Sequence, residues 1–174
     1  MKYTLLSIIC ASVLLVGCGS TNPAPQASLE KAGMSVNQLL EKKNKEDRNK
    51  KNAKEFYRLL ISEHDYDGAE KYMGTYIQHD PLVVGNGIAP LKEFLTTDPR
   101  FKNRPKGFKI EYSMVMADGD FIYFQLRKEL AGKADEKGLV QHIFRFSDDG
   151  KIEEHWTTVN FVNTKTSLNP HPLY

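Results

Sequence analysis

Three histidines and the polar residues near them are the side chains of this sequence best suited to chemistry. His79 precedes Asp80-Pro81, while His142 and His155 lie in two consecutive β-like segments. Imidazole can hold a ligand by hydrogen bonding, transfer a proton near neutral pH, or bind a metal. The three histidines lack the short spacing, such as His-x-x-x-His, that helical zinc motifs use. We therefore expect hydrogen-bonded pocket histidines, with no metal and no cofactor.

The segments on either side of Asp149-Gly150 alternate between apolar and polar residues, which predicts a β-hairpin. Counting outward from a two-residue turn pairs Phe146 with Glu153, Phe144 with His155 and His142 with Thr157 on one face, and Arg145 with Glu154 and Ile143 with Trp156 on the other. The first face is mostly apolar with a few convergent polar groups, as ligand pockets are. We assign Trp156 to sheet packing or to a dimer interface.

The elements that must position these residues follow from the period of the apolar positions. Phe56 and Leu60 belong to a helical pattern that predicts a long first helix ending near Ser62. From residue 107 onward the period becomes alternating, which predicts strands. The expected later elements are helices at Tyr66–Met73 and Ile88–Leu95, a short strand at Tyr76–His79, and strands at Phe108–Met116, Phe121–Lys128, Leu139–Phe146 and Lys151–Phe161, with a polar connection at Lys133–Lys137. Helices gathered on one face of an antiparallel sheet make an α+β domain.

The first residues indicate where the protein works. Lys2 precedes an apolar run, Leu5 to Val16, that is too short to span a bilayer but typical of a signal-peptide core. The run ends in Leu15-Val16-Gly17-Cys18, which resembles the lipobox of bacterial lipoproteins and implies lipid attachment to Cys18. We expect a signal peptide at 1–17, a lipidated tether at 18–34 and one domain at 35–174. With Gly19 after the cysteine, the expected location is the outer membrane, facing the periplasm.

Composition excludes several classes of function. The formal net charge of +2 gives no electrostatic case for nucleic acid binding. The only two cysteines are Cys10, lost with the signal peptide, and Cys18, consumed by the lipid. The domain is therefore expected to have no disulfide and no thiol nucleophile.

Several stretches together resemble the SnoaL-like family of the nuclear-transport-factor-2-like superfamily, over about residues 46–174. They are Phe56-Tyr57, Tyr76-Ile77-Gln78-His79-Asp80-Pro81, Ile143-Phe144-Arg145-Phe146 through Gly150-Lys151-Ile152, Glu154-His155-Trp156 and Asn169-Pro170-His171-Pro172. The resemblance implies a cone-shaped fold with three N-terminal helices packed in a strongly bent antiparallel sheet. It also implies a pocket for a small hydrophobic ligand and, by analogy, a homodimer through the convex sheet face. Known members include polyketide cyclases, ketosteroid isomerases and binding proteins without activity.

The same resemblance assigns roles to individual residues. Asp80 matches the general base of ketosteroid isomerases, and Tyr57 matches their oxyanion-stabilising tyrosine. A carboxylate in an apolar cavity and a phenol facing a developing enolate would support proton transfer, isomerisation or an aldol-type step. His155 completes the predicted catalytic group, and the predicted ligand pocket contains His79, His142, Phe144, Thr157 and Tyr76.

Each assignment has a structural alternative. Asp80 could cap backbone N–H groups at the end of its strand, and Tyr57 could be a core aromatic beside Phe56. SnoaL-like relatives commonly carry Asp after the His-Trp pair, whereas Thr157 stands there and cannot act as a general base. A non-catalytic binding or scaffold domain of the envelope therefore remains the second hypothesis.

Overall fold

The structure, a computed structural model, describes residues 33–129 and 135–169. The predicted signal peptide, Cys18 and nearly all of the predicted tether lie outside these residues, as does most of the Asn169–Pro172 stretch. Backbone contacts group Asn37–Tyr174 into one unit. Within the described ranges, no helix is both long enough and apolar enough to cross a membrane.

The described elements follow the predicted order of helices and then strands. They are α1 (Val36–Tyr57), a π-helical segment (Arg58–Glu63), α2 (Tyr66–Glu70), β1 (Met73–Gln78), α3 (Ile88–Thr97), β2 (Tyr112–Asp118), β3 (Phe121–Glu129), β4 (Glu136–Phe146) and β5 (Ile152–Asn163). The prediction placed the start of β4 three residues too late, because its first residues, Glu136 to Gly138, pair with the end of β5. It also extended α2 too far.

The five strands form one curved sheet in the order β1-β5-β4-β3-β2. β2 to β5 are antiparallel, but β1 runs parallel to β5 at the sheet edge. The N–H of Ile152 donates to the Tyr72 carbonyl at 2.8 Å, so pairing begins before the predicted start of the strand at Tyr76. The α+β class is confirmed, with one parallel edge added to the antiparallel meander.

β1 contains an irregularity that matters for the site. Its register with β5 shifts between Met73 and Ile77, and Tyr76 has a φ of 43°. A bulky residue rarely adopts positive φ, and bulges of this kind redirect a side chain. The Tyr76 side chain is fully buried as a result, while Ile77 is exposed.

The β4–β5 hairpin has the predicted register over most of its length, because two differences from the predicted turn compensate for each other. The loop is Asp148-Asp149-Gly150, one residue longer than predicted, with the Gly150 N–H donating to the Ser147 carbonyl at 3.0 Å and Gly150 at φ 82°. A bulge between Arg145 and Phe146 then restores the count. The predicted pair Phe146–Glu153 is therefore wrong, since Phe146 pairs with Ile152. The other four predicted pairs are confirmed.

The core lies between α1 and the inner face of the sheet. Ala53 and Phe56 of α1 are fully buried against a strand layer rich in phenylalanine. Phe56 contacts Phe144 edge to face at 6.1 Å, and Phe124 contacts Phe144 in the same way at 5.4 Å. Such pairs add to the hydrophobic free energy of burial. The interior beside α1 is thus filled by the protein's own side chains.

Polar residues of α1 between Lys45 and Asn52 contact two hairpin turns. Glu46 Oε1 accepts from the Gly119 N–H at 2.9 Å, and Asn52 Nδ2 donates to the Gly150 carbonyl at 2.9 Å. Lys45 also pairs with Asp120 at 2.5 Å. Because these contacts fix α1 against the β2–β3 and β4–β5 turns, they set the position of Tyr57 at its C-terminal end.

Candidate functional site

Four buried side chains form one continuous line of hydrogen bonds across the inner face of the sheet. The Tyr57 hydroxyl lies 3.0 Å from Nε2 of His142, and Nδ1 of His142 lies 2.9 Å from Nε2 of His155. Nδ1 of His155 lies 2.8 Å from the Tyr76 hydroxyl. We call these four residues the tyrosine–histidine chain. All four were predicted site residues, and the structure brings them together.

Each member comes from a different element. Tyr57 ends α1, Tyr76 is turned inward by the bulge in β1, and the two histidines are diagonal neighbours on β4 and β5. Phe144, opposite His155, stacks on its ring at 4.5 Å with an interplanar angle of 5°. Thr157 places its hydroxyl 3.3 Å from His142 Nδ1 and 3.2 Å from His155 Nε2. These two predicted pocket residues thus fix the rings from the side.

The tyrosine–histidine chain is electrically neutral at neutral pH. Burial lowers the pKa of His142 to about 3. Burial and the nearby His142 lower the pKa of His155 well below its usual range. Burial also raises the pKa of Tyr57 to about 12 and raises that of Tyr76. Each imidazole therefore carries one proton, and the direction in which the chain donates depends on where that proton lies.

Gln78 determines this direction. Its Oε1 accepts from the Asp80 N–H at 3.2 Å, so its Nε2 must face His155 Nδ1 at 3.2 Å. An amide nitrogen only donates, which assigns Nδ1 of His155 as an acceptor and places the ring proton on Nε2. The His155 Nε2–H then donates to Nδ1 of His142. Since that nitrogen accepts, the His142 proton is on Nε2, where it donates to the Tyr57 oxygen.

The consequence concerns the Tyr57 hydroxyl hydrogen. Since the Tyr57 oxygen accepts from His142, its own hydrogen is not used within the chain. His142 is the only described side chain within hydrogen-bond distance of this hydroxyl. Among the described side chains, the Tyr57 hydrogen therefore has no acceptor.

Asp80 lies at the other end of the tyrosine–histidine chain. Its Oδ1 accepts from the Leu82 N–H at 2.9 Å, which is the capping geometry considered as an alternative above. The hydrogen bonds that connect Asp80 to Tyr57 pass through Gln78 and both buried histidines. Among the described residues, Asp80 and Tyr57 are thus linked through this path rather than by a direct hydrogen bond.

His79 lies on the outer face of the sheet, apart from the other two histidines. Its Nε2 contacts Glu154 Oε2 at 3.0 Å, and its ring stacks on Trp156 at 4.5 Å with an angle of 4°. Arg145 binds the same carboxylate, with Nε 2.6 Å from Oε1. We call these four residues the outer cluster. The structure therefore separates His79 from the predicted pocket.

Two cavities of different character accompany the site. An open groove of about 1140 Å³ runs along α1 and is lined by basic residues such as Lys51, Lys54 and Arg58. A smaller cavity of about 90 Å³ lies between the π-helical segment, α3 and the loop that follows it. Neither is lined by Asp80 or by the buried histidines. Among the described residues, no group of three or more potential ligands is arranged to hold a metal ion.

Two residues, one in the site and one at the smaller cavity, were not predicted from the sequence. For Gln78, the signal was a polar side chain directly before His79. Arg104, which lines the smaller cavity, was not considered. Its only signal was a basic residue between Phe101 and Phe108 in a segment expected to be a loop.

Comparisons with known proteins bear on the fold. No family model matches the sequence, and no curated protein matches it. Among solved structures, the epoxide hydrolase/cyclase-like enzyme SalBIII, described in pyran ring formation in the polyether salinomycin, is 21% identical with a TM-score of 0.51, and the match covers 66% of this chain and 92% of SalBIII. An NTF-2 like protein of unknown function from Burkholderia xenovorans is 15% identical with a TM-score of 0.50, covering 68% and 86%. The fold is therefore nuclear-transport-factor-2-like.

Proposed function

We propose that this chain is a SnoaL-like protein that binds a small hydrophobic carbonyl compound, with the Tyr57 hydroxyl donating to the carbonyl oxygen. The observation that carries the proposal is the direction of the tyrosine–histidine chain, which leaves the Tyr57 hydrogen without a partner in the described protein. A neutral donor held rigidly in a region of low dielectric forms a stronger hydrogen bond than it would in water. The chain fixes the position of that donor.

The inner face beyond His142 supports a hydrophobic ligand. Val140 and Val159 are paired there on β4 and β5, and Val159 is 42% exposed. An apolar surface next to a directed donor suits a ketone, whose oxygen accepts one hydrogen bond while its carbon skeleton avoids water. SalBIII, a solved enzyme of this fold, is described in ring formation of a polyether, another chemistry on a small organic molecule.

Catalysis of proton transfer, isomerisation or an aldol-type step is the second candidate. It is favoured by the position of Asp80, whose carboxylate adds to the larger effect of burial in raising the pKa of Tyr76. Asp80 would be the base and the buried histidines would connect it to Tyr57. The capping bond to Leu82 favours binding without catalysis, so Asp80 decides between the two.

The proposal includes anchoring by a lipid on Cys18 at the outer membrane, facing the periplasm. It also includes a homodimer through the outer sheet face, which leaves Phe121, Met116 and Ile143 between 40% and 52% exposed. Replacing Cys18 by Ser should move the protein from the membrane fraction to the soluble fraction. Ile143→Glu should shift a dimer to a monomer in sedimentation velocity. Unchanged fractionation or sedimentation would remove that part of the proposal.

The test of ligand binding uses the full chain in detergent and a panel of cyclic ketones, steroid ketones and polyketide-like β-diketones. A ligand that raises the melting temperature should bind Tyr57→Phe about 3- to 10-fold more weakly, the value of one neutral hydrogen bond. Tyr123→Phe, the same change on the outer face, should bind as the wild type does. Equal affinity in Tyr57→Phe would contradict the proposal.

Asp80→Asn tests catalysis separately from binding. Asparagine keeps the side-chain oxygen that accepts the hydrogen bond from the Leu82 N–H, but it cannot act as a base. Loss of turnover with retained binding would support Asp80 as a base. Retained turnover would remove it from the mechanism.

A further inference from the structure

The cavity of about 90 Å³ has an unusual charge distribution. Leu60, Ile61 and Leu95 form its apolar wall, and its lining residues include the cationic Lys102 and Arg104 but no aspartate or glutamate. Its volume is well above the roughly 10–15 Å³ that one water molecule needs. It has room for a small polar group rather than a whole hydrophobic ligand.

Arg104 is held in a fixed position at this cavity. Its guanidinium lies 4.8 Å from the Phe101 ring centre and 4.6 Å from that of Phe108. The side chain is half-buried, and it forms no ion pair or side-chain hydrogen bond with any described residue. The two rings cover parts of the guanidinium surface, while its N–H groups have no partner among the described residues.

Arg100, four residues earlier, shows what a satisfied arginine looks like in the same loop. It also lies 5.7 Å from two phenylalanine rings. However, its Nη2 and Nε bind the Asp98 carboxylate at 2.7 and 2.8 Å. Within the described ranges, Arg100 has a counter-ion and Arg104 has none, although Arg104 is the one that lines the cavity.

A half-buried cation without an anion is unfavourable, because burial removes water that no opposite charge replaces. Burial lowers the pKa of Arg104 for this reason. A guanidinium presents paired donors that match the two oxygens of a carboxylate or phosphate. We propose that this cavity is a binding site for a small oxyanion, a carboxylate or an inorganic phosphate, held by Arg104 with Lys102 beside it.

The proposal does not depend on ketone binding at Tyr57. Arg104 does act electrostatically on Tyr57, where it opposes the rise in pKa that burial causes. Tyr57 is nevertheless not among the residues lining the cavity. An anion there would contact the arginine and leave the tyrosine hydroxyl available.

The test titrates sodium phosphate and, separately, sodium acetate into the full chain in detergent at constant ionic strength. The melting temperature of the wild type should rise with one or both anions, because a ligand that binds only the folded state stabilises it. The stronger of the two responses identifies the class of oxyanion. Arg104→Met, which keeps a long apolar side chain between the rings, should lose the response.

Two controls make the result specific. Arg100→Met removes a neighbouring cation that already has a carboxylate and should keep the response. Tyr57→Phe should also keep it, so failure of ketone binding and failure of anion binding are distinguishable. If Arg104→Met does not fold, the Nε–Hε signal of Arg104 in the wild type should shift on anion addition. No stabilisation of the wild type, an unshifted signal, or equal responses in wild type and Arg104→Met would overturn the proposal.

Discussion

His155 of β5 on the inner face and His79, the residue that follows β1, on the outer face lie at nearly the same level of the sheet, yet their surroundings are opposite. His155 is 5% exposed and its ring nitrogens contact only neutral groups. The side chain of His79 is 36% exposed and contacts a carboxylate. Its partner Glu154 has a lowered pKa because His79 and Arg145 bind it. The inner face thus fixes which nitrogen of each neutral imidazole carries the proton. On the outer face, by contrast, a carboxylate is paired with basic side chains near water.

The contrast between His155 and His79 shows that residue type alone does not decide whether a histidine belongs to a buried site. A one-residue step along a strand moves a side chain from one face to the other. On the inner face, the Tyr57 hydroxyl has no acceptor among the described residues, so its hydrogen stays available as a donor in a fixed position. On the outer face, by contrast, water can replace a lost partner, so changes there should have smaller effects.

The largest expected effect is on stability, from removal of the ring that supports the inner histidines. Phe144 is fully buried and stacks on His155. Phe144→Ala should lower the free energy of unfolding by about 3–5 kcal/mol, measured by urea denaturation. Ile143→Ala, its neighbour on the outer face, should cost much less. Comparable losses for the two variants would contradict the assignment of the faces.

The second effect is loss of stability in acid. The unfolded-state pKa of a histidine is near 6.5, whereas His142 in the folded protein has a pKa of about 3. The unfolded chain therefore binds more protons between these values. Stability should fall as pH drops from about 6.5 toward 3, by up to about 1.4 kcal/mol per pH unit for each histidine.

Urea denaturation of the wild type and His142→Gln over this pH range checks the prediction. The variant should show a shallower slope by about one proton. His79→Gln should retain most of the acid-induced loss, because the buried pair remains. The same slope in wild type and His142→Gln would show that this histidine is charged in the folded protein.

The third effect concerns the direction of the tyrosine–histidine chain. In Gln78→Glu the carboxylate would accept a hydrogen bond from His155 Nδ1, so the ring proton of His155 would move from Nε2 to Nδ1. The hydrogen bonds along the tyrosine–histidine chain would then reverse, and the Tyr57 hydroxyl would donate to His142. We expect ketone affinity to fall about tenfold. We also expect the ¹⁵N chemical shifts of Nδ1 and Nε2 to exchange in the two imidazole rings, because the protonated nitrogen changes. Gln141→Glu is the matched control, since Gln141 donates to Tyr123 on the outer face at 2.7 Å. Its histidine signals should stay unchanged.

The smallest effect is expected in the outer cluster. Glu154→Gln removes the carboxylate that both His79 and Arg145 contact. Stability should fall slightly at low ionic strength, and the difference from wild type should shrink with added salt, because exposed ion pairs are screened. A loss as large as that of Phe144→Ala would mean that the outer cluster, too, is a structural centre.

Much of the inner face could be predicted from the sequence, because alternation and one glycine-containing turn fix which residues share it. The pairs His142–Thr157 and Phe144–His155 were obtained in this way, although the longer loop and the bulge cancel only by coincidence. The resemblance places Tyr76 in the pocket, but the residue pattern of β1 could not show that its side chain turns inward. This orientation depends on a positive φ in β1, which no local sequence signal for a tyrosine indicates.

The separation of Asp80 from Tyr57 could not be predicted either. Spacing along the chain cannot show that the hydrogen-bond path between them passes through Gln78 and two histidines. The resemblance places His79 in the pocket, but after the end of β1 its side chain contacts Glu154 and Trp156 instead. Residues at strand ends carry the least information about which face they join.

The position of the protons on His142 and His155 tests the account most directly. A long-range ¹⁵N–¹H correlation spectrum of the full chain at pH 7 reports the tautomer of each ring. We predict two neutral imidazoles, both protonated at Nε2, so that the Tyr57 hydroxyl is left to donate to a ligand. A charged ring, or a proton on Nδ1 of either histidine, would contradict it.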